Sequence, residues 1–344
     1  MLPQSNPQSA VRAARVAIVG ATGAVGAELI ACLERRGFPI ASMRLLASER
    51  SAGRKMLVQG REVTLEAVSM DAFDDLDLVF FSAGSGVSRT YAPIAAAKGA
   101  LVVDNSSAFR MDAPLVVPEV NGEVLESRPS LVANPNCVAA VALMALSPLR
   151  SLARIQRVIG STYQAASGAG AAAMEELVAS TAAELAGEAY ERKVLPHPYA
   201  FNLFSHNTTI DPATGYNDEE GKVMAEIRRI LGDADLRVGF TCIRVPVLRA
   251  HSMALNVEFD APVTVEAARA VLAEAPGVRV VDDAANNHFP MPNEASGIDD
   301  VLVGRLRLDA SDPSGRTLAM FVSGDQLLRG AALNAVLIAE RLWR

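Results

Sequence analysis

Cysteine is scarce in this chain: Cys32, Cys137 and Cys242 are its three, odd in number and far apart. That arithmetic excludes a disulfide framework and points to a reducing compartment, the cytoplasm. None of the three joins one of the four histidines at metal-ligand spacing, so no metal site is expected. Clustered Lys and Arg are missing too. The 32 basic and 39 acidic residues leave a net charge of −7 without long runs, which argues against nucleic acid, because binding a phosphate backbone needs concentrated positive charge. No apolar stretch reaches the length of a membrane span. Residues 1–14 carry Pro, Gln and Ser without the apolar core of a signal peptide, and read as a disordered lead-in. Internal repeats and low-complexity linkers are absent as well. What is left is half apolar and 21% charged, the composition of a globular protein whose ligands are small molecules. At 344 residues it exceeds what one core normally serves, so two domains are expected.

The first informative stretch is the β-branched run Arg15–Val19, which breaks into Gly20-Ala-Thr-Gly23-Ala-Val-Gly26 and then a helical composition up to Gly37. Strand, glycine turn and helix is the order that brings a pyrophosphate onto open backbone N–H groups. A second strand, Arg44–Ala47, runs into Ser48-Glu-Arg50-Ser51. Hydroxyls and Arg at that position suit a ribose 2′-phosphate, so the cofactor expected is NADP. Further strands at Asp77–Phe81, Ala100–Val103 and Leu131–Ala133 end in small polar residues, which places loops at the carboxyl edge of a parallel sheet. On composition Arg110, near that edge, reads as a surface charge.

Asn134-Pro-Asn-Cys137 follows the last of these strands and opens the apolar run 138–146. Pro135 cannot continue a helix backwards and Asn caps well, so Cys137 is expected in the first turn of a helix, where the macrodipole lowers a thiol pKa. The nucleophile candidate thereby emerges at the same edge as the glycine turn. Beyond Arg157 the pattern becomes α+β. A strand at 157–163 meets the small-residue turn 164–170 and a helix at 171–187. Residues 190–214 read as an irregular connection, in which His197 and His206 have no partner at useful spacing and take structural or surface roles. A helix starts at Glu219-Glu220, and the stretch 238–251 reads as one alternating strand with Arg244 and His251 on it. Leu327 to Trp343 is an amphipathic helix that folds back across the first domain.

These motifs, in this order, resemble the aspartate-β-semialdehyde dehydrogenase family over nearly the whole chain after residue 14. The matching pieces are Gly20–Gly26, Leu46–Gly53, Asp104–Arg110, Asn134–Cys137, Ser161–Gly170, Arg244–His251 and Gly304–Arg307. The resemblance implies an α/β chain with two parts: an NADP-binding Rossmann-type parallel-sheet domain (15–136, with 325–344 returning to it), and an α+β domain like that of glyceraldehyde-3-phosphate dehydrogenase (137–324) for catalysis and dimerisation. It implies that Cys137 forms an acyl-thioester, His251 is the general acid/base and Gln164 orients the substrate. Arg244 would hold the α-carboxylate and Glu219 the ammonium, with Glu220 one residue away as the other carboxylate. Arg110, Asn136 and Lys222 would surround the phosphate. Thr22, Gly23, Ala24 and Val25, between Gly20 and Gly26, would contact NADP together with Ser48, Arg50, Ser51, Ser167, Gly168 and Gln326. Two positions depart from the family: Val138 stands where Ser or Thr is usual, and Gln326 where Asn is usual.

The implied activity is reductive dephosphorylation of aspartyl phosphate by a homodimer, in synthesis of lysine, threonine, methionine and isoleucine. An N-acetyl-γ-glutamyl-phosphate reductase shares the chemistry on an acylated amine, and Glu219 speaks against it, since an anion serves a free ammonium. An inactive relative acting as a structural partner is the third reading. Retention of Cys137, Gln164, Arg244 and His251 together weighs against that one.

Overall fold

The computed structural model describes residues 12–58 and 60–343. Most of the lead-in lies outside the described residues, but its end is ordered: Arg12 pairs with Asp77 at 2.9 Å, its carbonyl accepts the Trp343 indole N–H at 2.6 Å, and Ala14 already belongs to the first strand. The strands of the first sheet are β1 (Ala14–Val19), β2 (Ile40–Ala47), β3 (Lys55–Val58), β4 (Arg61–Ala67), β5 (Leu78–Phe81), β6 (Leu101–Asp104) and β7 (Leu131–Ala133). They lie in the order β3-β4-β2-β1-β5-β6-β7, and every pairing except the β3–β4 hairpin is parallel. The second sheet holds β8 (Ile155–Gln164), β9 (Phe204–Ser205), β10 (Arg237–Arg244), β11 (His251–Phe259), β12 (Val278–Val280), β13 (Val301–Leu308) and β14 (Thr317–Gly324), in the order β12-β13-β14-β11-β8-β10-β9. The helices are α1 (Ala24–Arg35), α2 (Ser85–Ala97), α3 (Pro118–Asn121), α4 (Cys137–Leu149), α5 (Ala171–Ala186), α6 (Asp218–Leu231), α7 (Val265–Ala273), α8 (Pro292–Ala295) and α9 (Leu333–Leu342).

β1 shows why the first sheet reads as unbroken apolar runs. Val16 and Ile18 pack with Leu29, Leu33, Leu333 and Val336 of α1 and α9, while Ala17 and Val19 face Ala92 and Ala95 of α2. Both faces are covered, so alternation is lost. The second sheet is covered on one face. Val158, Phe240, Met253, Leu255 and Val322 join the central α4 with α6 and α7, whereas Ile159 and Tyr163 on the opposite face of β8 are 46% and 38% exposed. Residues 138–146 of α4 are apolar on all sides because all of them are buried; Cys137 at its start and Ser147 and Pro148 near its end are partly exposed.

The stretch 238–251 is two strands, not one. β10 stops at Arg244, ahead of Pro246, which has no N–H for a ladder. Ala250 then takes φ +71°, and the chain reverses into β11 at His251, antiparallel to β8. The connection 190–214 holds a short strand, β9, and the C-terminal helical segment begins with a π turn, Leu328–Ala332, before α9. No described helix is long and apolar enough to cross a membrane.

Candidate active site

At the carboxyl edge of the first sheet the glycine turn is fixed by close approach. Gly20 has φ +86°, and a Cβ on it would fall 2.4 Å from the Ser82 carbonyl oxygen; one on Gly26 would fall 2.3 Å from the Gly20 oxygen. Helix α1 starts after Gly23 with no side-chain cap and no acidic residue in its first turn, so its leading N–H groups at Ala24 and Val25 stay open to an anion. Thr22 and Gly23 are exposed beside them, as are Ser48 and Arg50 at the end of β2, while Ser51 is buried in the 3₁₀ turn Glu49–Ser51. An open helix start with a neighbouring hydroxyl and guanidinium fits a dinucleotide carrying a 2′-phosphate.

Cys137 lies in the first turn of α4, and Asn136 is the cap: its Oδ1 accepts the Val138 and Ala139 N–H groups at 2.8 and 3.3 Å. The Asn136 backbone N–H donates to Glu226 Oε2 at 2.5 Å and its Nδ2 to Glu219 Oε1 at 3.0 Å, so the turn before the cysteine is held to α6 at two points. Val138 is fully buried in the core, and its departure from the family places a methyl group away from the cavity. The expected lowering of the thiol pKa does not occur among these side chains. Burial, then Glu219, pushes Cys137 up to about 12, against the opposing pull of Arg110, Arg244 and the Val138 N–H. Desolvation outweighs the helix start.

The cavity in front of Cys137, about 360 Å³, runs from Val25, Ser82 and Gly84 at the first sheet's edge to Arg244 and His251 on the second. It gathers Arg110, Asn136, Gln164, Ser167, Gly168, Glu219, Lys222 and Gln326 as well. Arg110 is no free surface charge. Its guanidinium donates to the Asn134 and Asn105 carbonyls at 3.0 and 3.1 Å and pairs with the buried Glu226 at 3.1 Å. Gln164 accepts from Thr162 Oγ1 at 3.0 Å and donates to Glu219 Oε1 at 3.1 Å. Glu220 is committed elsewhere: it completes a capping box with Asn217 and accepts the Cys242 N–H at 2.9 Å. Glu219 is therefore the carboxylate of the pair that meets the cavity.

Arg244, 4% exposed, donates to the Ala165 carbonyl at 3.3 Å and to Asn207 Oδ1 at 3.4 Å. His251 is fully buried. Its Nδ1 accepts the Ala165 N–H at 3.1 Å, and its Nε2 is buried with no partner among the described residues. An acceptor at Nδ1 puts the proton of the neutral ring on Nε2. Burial first, then Arg244 and His206, holds the ring's pKa well below the usual histidine value. Gly168 lets the backbone pass the ring, since a Cβ there would sit 2.9 Å from His251 Cε1. Gln326 donates to Ser167 Oγ and accepts the Ala250 N–H at 3.0 Å.

Two residues of the site escape sequence reasoning. His206, assigned a structural or surface role, is 8% exposed and lines the cavity. Its neighbours come from β9–β10 pairing and α6, which spacing does not reveal. Gly330 packs its backbone on Cys137, and an isolated glycine in a helical pattern was the available signal.

The sequence pattern of the semialdehyde dehydrogenase NAD binding domain matches residues 15–128, and that of the semialdehyde dehydrogenase dimerisation domain matches 146–329. Aspartate-semialdehyde dehydrogenase of Synechocystis sp. is 50% identical across 95% of this chain and 97% of its own length, and that of Bacillus subtilis is 42% identical across 96% and 98%. The crystal structure of aspartate semialdehyde dehydrogenase II from Vibrio cholerae complexed with ASA superposes with a TM-score of 0.92 at 39% identity, covering 96% of this chain and 98% of that one. The chain belongs to the aspartate-semialdehyde dehydrogenase family.

Proposed function

We propose that this chain reduces L-4-aspartyl phosphate to L-aspartate 4-semialdehyde with NADPH, releasing phosphate, in cytoplasmic synthesis of lysine, threonine, methionine and isoleucine. The observation that carries the reading is one cavity holding the thiol of Cys137, three cations, the Glu219 carboxylate, which has no ion-pair partner among the described residues, and an unpaired imidazole N–H, open at its far end to the uncapped start of α1. Arg110 and Lys222 take the phosphate with Asn136, Arg244 the α-carboxylate, and Glu219 the ammonium. The docked ammonium also cancels the Glu219 charge, which after burial does most to keep the thiol protonated. The Cys137 thiolate attacks the acyl carbon, the carbon–oxygen bond to phosphate breaks, and a thioester remains. NADPH, when bound, supplies the hydride. His251 meets the reacting oxygen as a donor through Nε2–H; accepting a proton there requires Nδ1 to leave the Ala165 N–H. The carbon–sulfur bond then breaks and frees the aldehyde.

A homodimer is the assembly this reading carries, and the exposed β8 face with Ile159 and Tyr163 offers an apolar surface for a second copy. The N-acetyl-γ-glutamyl-phosphate reductase reading is disfavoured by Glu219, whose carboxylate would face an uncharged amide. Mass spectrometry tests the proposal: with the aspartyl substrate supplied and hydride transfer blocked, a covalent acyl adduct is expected on Cys137. Phosphate-dependent NADP reduction with N-acetylglutamate semialdehyde but not aspartate semialdehyde would sink it.

A further inference from the structure

His206 lines the cavity yet has no task in that chemistry. Its backbone is pinned: it follows β9, whose Phe204 pairs with Arg244, and its N–H donates to the Cys242 carbonyl at 2.8 Å. The ring's Nδ1 lies 3.3 Å from Thr208 Oγ1, an oxygen that also accepts the Glu219 N–H at 3.2 Å. In the tautomer where the threonine hydroxyl donates to Nδ1, Nε2 is the protonated nitrogen. Nε2 has no hydrogen bond to the described residues and is the ring nitrogen left for the cavity. Arg244 is the charge that acts on this ring most strongly, ahead of Glu219 and Lys222. Burial and that guanidinium push the ring down to about 4, so at neutral pH it is an uncharged imidazole and not a further cation.

A buried N–H beside a buried guanidinium is the arrangement that grips a carboxylate from two sides. The guanidinium takes two lone pairs and leaves others for a second donor. Arg110 and Lys222 carry the phosphate end of the site, whereas Arg244 pairs across the sheet with Phe204 and donates through Nε at 3.4 Å to Oδ1 of Asn207, the residue after His206, which puts His206 with the opposite end. We propose that His206 is a specificity-determining residue whose Nε2–H donates to the substrate carboxylate held by Arg244, so that arginine and imidazole together select substrates bearing an α-carboxylate. The proposal rests on the activity proposed above.

The test is phosphate-dependent NADP reduction by the wild type, His206→Ala and His206→Gln, each with aspartate semialdehyde and with 3-aminopropanal, which lacks the carboxylate. A wild type without turnover of aspartate semialdehyde removes the activity and this role together, whereas the variants address His206 alone once turnover is seen. His206→Ala is expected to raise KM for aspartate semialdehyde by about 10- to 100-fold, the loss of one hydrogen bond to a charged group. The values of kcat and of KM for phosphate should stay unchanged. His206→Gln, which keeps a side-chain donor, should recover most of the loss, and 3-aminopropanal should show no penalty. Equal losses on both aldehydes, a rise in KM for phosphate, or a loss confined to kcat would overturn the assignment. Should His206→Ala fail to fold, His206→Phe, which fills the volume without a donor, is set against His206→Gln on the same criteria.

Discussion

Gly330 gives the sharpest means of separating catalysis from stability. It lies in the π turn Leu328–Ala332, and a methyl group on it would fall 2.6 Å from Cys137 Cβ and 2.9 Å from Cys137 Cα. Unstrained carbons rest about 3.5–4.0 Å apart, so Gly330→Ala requires the two backbones to part by about 1 Å. Neither side yields easily. Cys137 follows a cap tied to Glu219 and Glu226, and Gly330 is held by its N–H to the Asp325 carbonyl at 3.3 Å and by its own carbonyl to Asn134 Nδ2 at 3.4 Å. Overpacking of this kind costs about 1–3 kcal/mol. Alanine's better helix propensity returns up to about 1 kcal/mol, so the net loss should be about 0–3 kcal/mol. A nucleophile displaced by that distance loses about 100-fold in rate. The assay pairs kcat/KM on aspartate semialdehyde with urea unfolding. Wild-type kcat/KM at unchanged stability would refute the packing argument, and so would a loss of activity that merely tracks unfolding.

Because burial and Glu219 hold the Cys137 thiol up to about 12, its thiolate fraction is small at neutral pH and grows with pH. Alkylation at Cys137 by iodoacetamide, followed by mass spectrometry, should rise about tenfold per pH unit between about pH 7 and 10; a curve that levels off between about pH 9 and 10 would show an ordinary thiol. Glu226→Ala strands the Arg110 guanidinium and the Asn136 N–H together, and should cost about 3–5 kcal/mol in urea unfolding. A loss below about 1 kcal/mol would mean the pair is solvated. Arg50→Gln should weaken NADP by about tenfold while leaving NAD unchanged in fluorescence titration; equal weakening would remove Arg50 from the 2′-phosphate.

The parts of this molecule legible in sequence are those whose cause is local. A glycine turn between a β-branched run and a helix announces itself because the steric demand falls on Gly20 and Gly26 themselves. Asn136 reads as a cap because capping reaches only two or three residues, here Val138 and Ala139. Pro246 marks the end of β10 in the same local way, and the alternation across 238–251 hides it only because the apolar pattern continues past a backbone that no longer pairs. His206 is different in kind. Its place in the site comes from Phe204 meeting Arg244 across 40 residues of chain and from α6 arriving beneath it, and no spacing rule carries that information.

Cys137 shows how a local inference can be sound and its conclusion reversed. The helix start is there, with the cap that should favour a thiolate, yet the thiol is held protonated because the fold also buries it and turns Glu219 toward it. The macrodipole acts within one turn and is worth about 1 kcal/mol, whereas desolvation of a thiolate shifts a pKa by units. The same carboxylate that disfavours the thiolate is the docking point for the substrate ammonium in the activity proposed here. On that reading the nucleophile is unreactive until its substrate's own charge is in place, so the arrangement that a sequence-level view takes for permanent activation becomes activation conditional on binding.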